Sequence, residues 1–247
     1  MVVLEHPQRA VHPELDLVAT PAGRPAAMVH VNTCTSDLDA WVRLLGQAAE
    51  AAGKPLTRDE QYALFYRAAL QAEPDAGGLV SFNCYSGEPV AGLETGRPML
   101  VRRPDARLTL PNLARAALYA AMAALRMGMD ILLQDEGVRL DSLLGHGGLF
   151  KVPVVGQKLL AGALGVPVTV RSTAGEGGPW GMALLAAYLA EKTGGETLEH
   201  YLADRVFAGS QGSTLPPDPA DSAGFARFLA DYRRALPVQR AAGEALT

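Results

Sequence analysis

Cysteine and histidine are scarce in this sequence. The chain has two cysteines, Cys34 and Cys84, without CxxC spacing, and five histidines without the spacing of metal ligands. These patterns argue against a zinc site and against a disulfide framework. No combination of a nucleophile, a histidine and an acid is visible either. We therefore assign no catalytic residue and no metal ligand from the sequence.

An excess of one charge and a long uninterrupted apolar segment are also missing. The 22 Lys and Arg residues against 26 Asp and Glu residues give a formal net charge of −4, which argues against a nucleic-acid partner. The most apolar segment, residues 113–133, contains Arg115, Arg126 and Asp130, and such charges are costly inside a bilayer. No signal peptide is recognised. We expect a cytoplasmic protein without a membrane partner.

The first part of the chain alternates β-branched segments with turn-forming residues and then becomes helical. Its predicted strands cover residues 1–5, 15–19 and 27–31. We expect them to form an antiparallel three-strand meander, and the first strand, which has no lead-in, suggests a chain truncated at its front. The next predicted elements are a helix at 36–52, a helix at 57–73 that Thr57 and Glu60 open as a capping box, a strand at 79–82 and a long loop at 83–98.

The second part alternates strand, turn and helix, which is typical of parallel strands joined by crossover helices. A long and almost uncharged helix at 109–134 comes first and should be largely covered by protein. The later predicted elements are a strand at 139–144, a helix at 154–164, a strand at 166–170, a helix at 180–192, a linker at 210–222 and an amphipathic helix at 224–235. The length of the chain, 247 residues, is compatible with one large domain or two small ones.

Two glycine-rich turns, residues 145–151 and residues 175–181, each follow a predicted strand and precede a helix. Open backbone and a helix N-terminus at such a position suit a phosphate group. Neither turn matches a Walker motif or GxGxxG. The alternative is that the glycines only make tight turns and close helix–strand packing. Lys151 is either a phosphate ligand or a solvated residue at a helix start, His146 could contact a base or a ribose, and Glu176 is explained by the helix dipole. The candidate cofactor-binding residues are Gly145, His146, Gly147, Gly148, Lys151, Gly175 and Gly177.

Several segments in this order are familiar from one family. They are Tyr85–Pro89, Asn112–Ala116, the turn Leu144–Leu149 with Gln157 beyond it, Leu164–Val168 and Gly181–Ala187. From residue 1 to about Lys192 the chain resembles the C-terminal domain of FGGY-family carbohydrate kinases. Three departures are visible. His146 interrupts the first glycine turn, Pro89 stands where the family has arginine after Gly-Glu, and residues 175–180 replace the family's commoner acidic-x-x-Ala-x-Gly approach to the last helix.

The resemblance implies an α/β fold of the RNase H-like, actin-like ATPase type. This fold would have a mixed sheet in which the three-strand antiparallel meander is followed by parallel βαβα, with helical insertions and a C-terminal helix. Residues 1–195 would form the nucleotide-binding domain, and residues 196–247 an extension packed on it. The implied cofactors are ATP and Mg²⁺, with no metal ligand assignable in this chain.

The resemblance also implies a missing partner. In the family the sugar pocket, the catalytic aspartate and much of the magnesium coordination belong to an N-terminal lobe, which would be encoded separately here or lost. We therefore expect the ATP-binding half of a sugar or polyol kinase that is inactive alone and forms dimers or larger species. The alternative is a non-catalytic actin-like module that binds nucleotide or serves as a scaffold.

Overall fold

The structure is a computed structural model that describes residues 1–175 and 177–246. Its N-terminal sheet consists of β1 (Val2–Val3), β2 (Asp16–Ala19) and β3 (Pro25–Met28). The strands are antiparallel as predicted, but β3 lies between the other two. The meander prediction is therefore wrong. The reason is that only β2 and β3 form a tight hairpin, whereas the long connection over residues 4–15 carries the chain past β2 to the far edge of β3.

Two helices and a two-stranded sheet follow. Helix α1 covers Leu38–Ala51 and α2 covers Arg58–Ala69. The predicted capping box at the start of α2 is present: the Glu60 amide donates to the Thr57 hydroxyl oxygen, and the Thr57 amide donates to the Glu60 carboxylate. Strand β4 (Leu79–Phe82) pairs antiparallel with β5 (Met99–Arg102). The sequence pattern predicted β4 but not β5, which directly follows the predicted loop.

Helix α3 (Leu110–Asp130) forms the centre of the protein and continues as a π-helical turn over Ile131–Asp135. Thr109 caps its start by accepting a hydrogen bond from the Asn112 amide at 3.3 Å. The combined helix is long and apolar enough to cross a membrane by length and composition alone. Most of its apolar residues are, however, buried against other helices and strands, as in the core helix of a globular protein.

The predicted strand–helix alternation is present in the second part. Strand β6 (Leu143–Gly145), helix α4 (Val155–Leu164), strand β7 (Val168–Arg171) and helix α5 (Gly177–Glu191) follow in order, and β6 and β7 are parallel. Strand β6 begins later than predicted because its ladder starts where the Leu143 amide donates to the Pro167 carbonyl. After the short helix α6 (Leu198–Tyr201), strand β8 (Gly212–Leu215) pairs antiparallel with β7 inside the predicted linker.

The described residues form three separate sheets, so the expected single mixed sheet is not observed. Strand β1 has only two residues and pairs with β3 alone, and it makes no ladder with β6 that could join the sheets. The fold is a mixed α/β fold. The boundary proposed at residue 195 stays a prediction.

The C-terminal helix α7 (Pro219–Ala245) is longer than predicted and covers α3, α4 and β4. Aromatic side chains line this contact: the Tyr119 and Phe225 ring centroids are 5.0 Å apart, and those of Phe82 and Tyr232 are 4.5 Å apart. The buried Arg115 guanidinium on α3 pairs with Asp221 on α7 at 2.8 Å. The main core thus lies between α3, α7 and the β4–β5 sheet.

Candidate functional site

The two glycine turns lie side by side, because each follows one of the two parallel strands β6 and β7. The Gly147 amide donates a hydrogen bond of 2.8 Å to the Ala174 carbonyl, which joins the first turn to the second. Carboxyl ends of adjacent parallel strands are a common place for ligands. Glu176 of the second turn lies outside the described residues.

Close packing explains one of the candidate glycines. A Cβ on Gly145 would lie 2.6 Å from the Phe150 ring, so only glycine lets the strand end pass beneath this side chain. Gly156, which the sequence analysis did not single out, has the same role, since its Cβ would collide with the Leu149 carbonyl. Both glycines hold the short 3₁₀ turn Gly148–Phe150 against the start of α4.

The other candidate glycines present open backbone. A Cβ on Gly147, Gly148, Gly175 or Gly177 would meet no atom of the described residues within 4 Å. Gly147 has φ +96° and Gly177 has φ +66°, conformations that favour glycine. Gly148 lacks a positive φ. The backbone conformation at position 148 therefore does not require glycine, although a side chain there would project into free space.

That free space is a cleft of about 700 Å³ between the first glycine turn and α2. Gly148 and the exposed Lys151 form one wall, and Arg58 and Arg67 lie on the other. Arg58 pairs with Asp39 at 2.9 Å. The cleft therefore collects three cationic side chains around open backbone, with Asp59 as a neighbouring carboxylate.

Two tyrosines complete the α2 wall. Tyr62 and Tyr66 line the cleft and lie in an edge-to-face arrangement, with 6.0 Å between their ring centroids. Burial raises the pKa of the Tyr66 hydroxyl to about 12, so this group stays protonated and remains a hydrogen-bond donor. Sequence analysis did not identify the α2 residues. The spacing of Arg58, Tyr62 and Tyr66, which places them on one helix face, was the only available signal.

The structure does not bring all candidate residues to this cleft. His146 and Gly177 line a second cleft of about 690 Å³, between α5 and the β2–β3 hairpin. The two clefts share no lining residue. The first turn therefore presents Gly148 and Lys151 to one cleft and His146 to the other.

Motif residues on α3 have structural roles. The Asn112 side chain accepts from the Glu73 amide at 3.0 Å and donates to the Arg107 carbonyl at 2.9 Å. Arg115 donates to the Ala69 carbonyl at 2.9 Å in addition to its ion pair. These bonds fix α3 against the end of α2, and they satisfy polar groups that would otherwise be costly to bury.

Glu88, in the segment that resembles the family's Gly-Glu-Arg loop, is almost completely buried, with 1% exposure. Its carboxylate accepts a 2.9 Å hydrogen bond from the Asn32 amide. Burial raises the pKa of this carboxyl, and the bond to the Asn32 amide opposes the rise. Glu88 therefore connects the end of the first sheet to the loop before β5.

No cluster suited to a metal ion is present among residues 1–175 and 177–246, where no three His, Cys, Asp or Glu side chains converge. Both cysteines are free thiols. The cation-rich cleft beside Gly148 is thus suited to an anionic ligand, and any metal accompanying that ligand would need further ligands from the ligand itself or from another chain segment.

The model of the FGGY family of carbohydrate kinases, C-terminal domain, matches residues 1–190. No curated protein matches the chain by sequence.

Solved structures match over most of the chain. Ligand-bound xylulose kinase from Lactobacillus acidophilus has 17% identity and a TM-score of 0.71, over 97% of this chain and 45% of that one. Xylulose kinase from Rhodospirillum rubrum has 20% identity and a TM-score of 0.64, over 92% and 42%. Glycerol kinase from Plasmodium falciparum with ADP has 15% identity and a TM-score of 0.62, over 91% and 42%. The chain therefore spans less than half the length of these kinases, and by its family match it belongs to the FGGY family of carbohydrate kinases.

Proposed function

We propose that this chain is the nucleotide-binding half of a carbohydrate kinase, which transfers a phosphoryl group from ATP to a hydroxyl of a sugar or polyol. The observation that carries the proposal is the cleft beside Gly148 and Lys151. The family match and the similarity to a glycerol kinase solved with ADP support it. In this proposal the domain is of the RNase H-like, actin-like ATPase type.

The residues of the cleft fit a nucleoside triphosphate. Lys151, Arg58 and Arg67 supply positive charge for a polyphosphate, and open backbone at Gly148 allows a close approach. The half-buried Tyr62 offers aromatic surface for a base, whereas the ring of Tyr66 is buried beneath it. A volume of about 700 Å³ lies within the usual range of small-molecule sites.

The chemistry of such a transfer depends on positioning rather than on covalent catalysis. This chain's own residues would hold the nucleotide and exclude water from one side of it. Bound Mg²⁺ would neutralise charge on the phosphates. The acceptor hydroxyl and the carboxylate that takes its proton would belong to the other lobe, so we assign no catalytic residue here and expect no transfer by the chain alone.

Substitution of Gly148 by valine tests the cleft. The new side chain enters the space beside Lys151 without backbone strain, because Gly148 lacks a positive φ and its Cβ meets no described atom within 4 Å. Calorimetry with ATP and Mg²⁺ should show binding by the wild-type chain and binding at least about tenfold weaker for Gly148→Val, because the branched side chain occupies the ligand's space.

Gly194→Val is the matched control. Gly194 likewise has no positive φ and no described atom within 4 Å of its Cβ, and it lies beyond α5. The affinity of the Gly194→Val chain for ATP should equal that of the wild type. A wild-type chain that gives no heat with ATP, or a Gly148→Val chain that binds ATP as well as the control, would contradict the proposed site.

The same preparations distinguish a kinase half from the alternative module. Phosphorylation of pentoses, hexoses or polyols by the purified chain alone would overturn its expected inactivity. ATP binding without transfer, even after an N-terminal lobe from a related kinase is added, would favour a non-catalytic nucleotide-binding or scaffold module. The cytoplasmic location stays a prediction.

A further inference from the structure

The cleft between α5 and the β2–β3 hairpin is not used by the proposed nucleotide site. We propose that it binds a small aromatic carboxylate, and that its occupancy changes nucleotide affinity through the shared glycine turn. The second part of this proposal rests on the proposed function, whereas the first part does not.

The walls of this cleft are mainly apolar and aromatic. Trp180 and Phe207 meet edge to face, with 5.8 Å between ring centroids and an interplanar angle of 75°. Leu185 and Leu202 extend the same surface. The volume of about 690 Å³ lies in the range of small-molecule sites, which typically combine apolar walls with a few polar groups. A planar ring therefore has a complementary surface to stack on.

Helix α5 needs such a covering group. No charged residue is present between Gly177 and Ala190, and none of the residues of α5 is buried. Met182, which lines the cleft, is 68% exposed. A helix that is apolar on all sides is normally covered, and within the described residues this face is covered only in part, since Trp180 and Leu185 are half-buried while Met182 is exposed.

The anionic group on the ligand is inferred from Arg24 and not from the net charge of the cleft. The cleft is lined by one cationic side chain, Arg24, by one acid, Glu199, and by His146. Arg24 makes no ion pair with any residue in the part of the chain that the structure describes. Because Arg24 is exposed and unpaired among the described residues, its guanidinium can bind two carboxylate oxygens. His146, in the same cleft lining, can donate a further hydrogen bond, so the two side chains suit a single carboxylate.

The first glycine turn connects this cleft to the nucleotide cleft. His146 lines one cleft and Gly148 the other, with only Gly147 between them. Gly147 in turn donates to the Ala174 carbonyl in the turn that leads to α5. A ligand held by His146 and α5 would restrict this turn. Any resulting change in ATP affinity must be matched by an equal change in the affinity for the carboxylate.

Gly181 allows the cleft to be filled without distorting the protein. It lies on α5, lines the cleft and has no described atom within 4 Å of its Cβ. Leucine at this position also improves helix propensity. In calorimetry with 1-naphthoate as the probe, we expect wild-type binding and a loss of at least about tenfold for Gly181→Leu, because its side chain takes the ring's place. Ala183→Leu, on the same helix but outside the cleft lining, should bind like the wild type.

The charge requirement has its own test. Arg24→Gln should weaken 1-naphthoate binding by about tenfold through the loss of a charge-assisted hydrogen bond. Binding of uncharged 1-naphthalenemethanol should be unchanged by Arg24→Gln. Equal binding of 1-naphthoate by the wild type, Gly181→Leu and Arg24→Gln chains, or no saturable binding at all, would overturn the proposal. Light scattering that shows dimers dissociated by Gly181→Leu, without naphthoate binding, would instead identify the cleft as a contact between copies of the chain.

The coupling is measured as the dissociation constant of ATP with and without saturating 1-naphthoate. We expect a change of at least about threefold, with the reciprocal effect of ATP on 1-naphthoate. Naphthoate binding without ATP binding would contradict only the proposed function. ATP binding without naphthoate binding would contradict only this inference, and binding of both with no mutual effect would refute the coupling.

Discussion

A single residue, Val154, has the least favourable backbone of the glycine-turn region. Its φ is +75° and its ψ is −44°, and it immediately precedes α4. A β-branched residue in this region is strained, because its Cβ substituents crowd the adjacent backbone. The Val154 carbonyl nevertheless accepts the 2.8 Å hydrogen bond of the Lys158 amide and so helps to start the helix. Surrounding structure therefore maintains the strain.

Replacement of Val154 by glycine should stabilise the protein. Relief of backbone strain outweighs the entropic cost of glycine and the lost contact of a half-exposed side chain, and we expect a net gain of about 0.5–1 kcal/mol in the free energy of unfolding. Urea denaturation measures this gain. Val152→Gly is the control, because Val152 does not share the positive φ and its replacement should lower stability. A loss of stability in Val154→Gly would show that no strain is stored there.

At the scale of secondary-structure elements, Gln157 holds α4 to two strands. Its buried side-chain amide donates to the carbonyls of Val168 on β7 and Ser213 on β8, both at 2.8 Å. Its oxygen accepts from the Ser213 hydroxyl at 3.2 Å. Gln157, one of the residues that carry the resemblance to the family, is thus a structural connection. It fixes the helix whose start carries the turn.

Gln157→Met keeps the length of the side chain but removes both donors. Both strand carbonyls lose a hydrogen bond, the Val168 carbonyl in a buried environment and the Ser213 carbonyl in a partly buried one. We expect a loss of about 2–3 kcal/mol in the free energy of unfolding. Denaturation in urea measures the loss. Ser213→Ala, which removes only the bond to the side-chain oxygen, should cost less than about 1 kcal/mol. Equal effects of the two substitutions would contradict the role given to the amide donors.

At the scale of the whole molecule, Glu136 joins the segment after α3 to the connection between β1 and β2. It follows the π turn after α3, and its carboxylate accepts from the amides of Arg9 at 2.7 Å and Ala10 at 3.1 Å. The Nε2 atom of His12 lies 2.6 Å from the same carboxylate. The long connection between β1 and β2, which makes the first sheet differ from a meander, is therefore anchored more than a hundred residues away along the chain.

This anchor predicts a pH dependence of stability. The hydrogen bond from the Arg9 amide, with further bonds from His12 and Ala10, lowers the pKa of Glu136 from 4.5. A lowered folded pKa means that the stabilisation is complete above about pH 4.5 and is lost as the pH falls through the folded value. Between pH 5 and pH 3 the melting temperature of the wild type should therefore fall more steeply than that of Glu136→Gln. Glu5→Gln, at an exposed position of the same connection, should follow the wild type, and parallel curves for the wild type and Glu136→Gln would refute the assignment.

Local patterns in the sequence were sufficient to predict many of the secondary-structure elements. The capping box at Thr57, the long covered helix after Thr109 and the strand–turn–helix alternation around the glycine turns all depend on residues near each other in the chain, and the structure confirms them. The order of the motifs along the chain was sufficient to identify the family, and the family match over residues 1–190 confirms that identification. Strands β5 and β8 were missed because each is short and is defined by a partner distant in sequence.

Only the tertiary structure decided the order of the strands and the direction in which each turn residue faces. Whether Gly145 packs beneath Phe150 or Gly148 opens towards Lys151 and α2 depends on where distant elements lie, and no local spacing contains that information. His146 and Gly148 are two residues apart and line different clefts for the same reason. Local propensity determines where a turn forms, whereas the packing of remote helices and strands determines what the turn can bind.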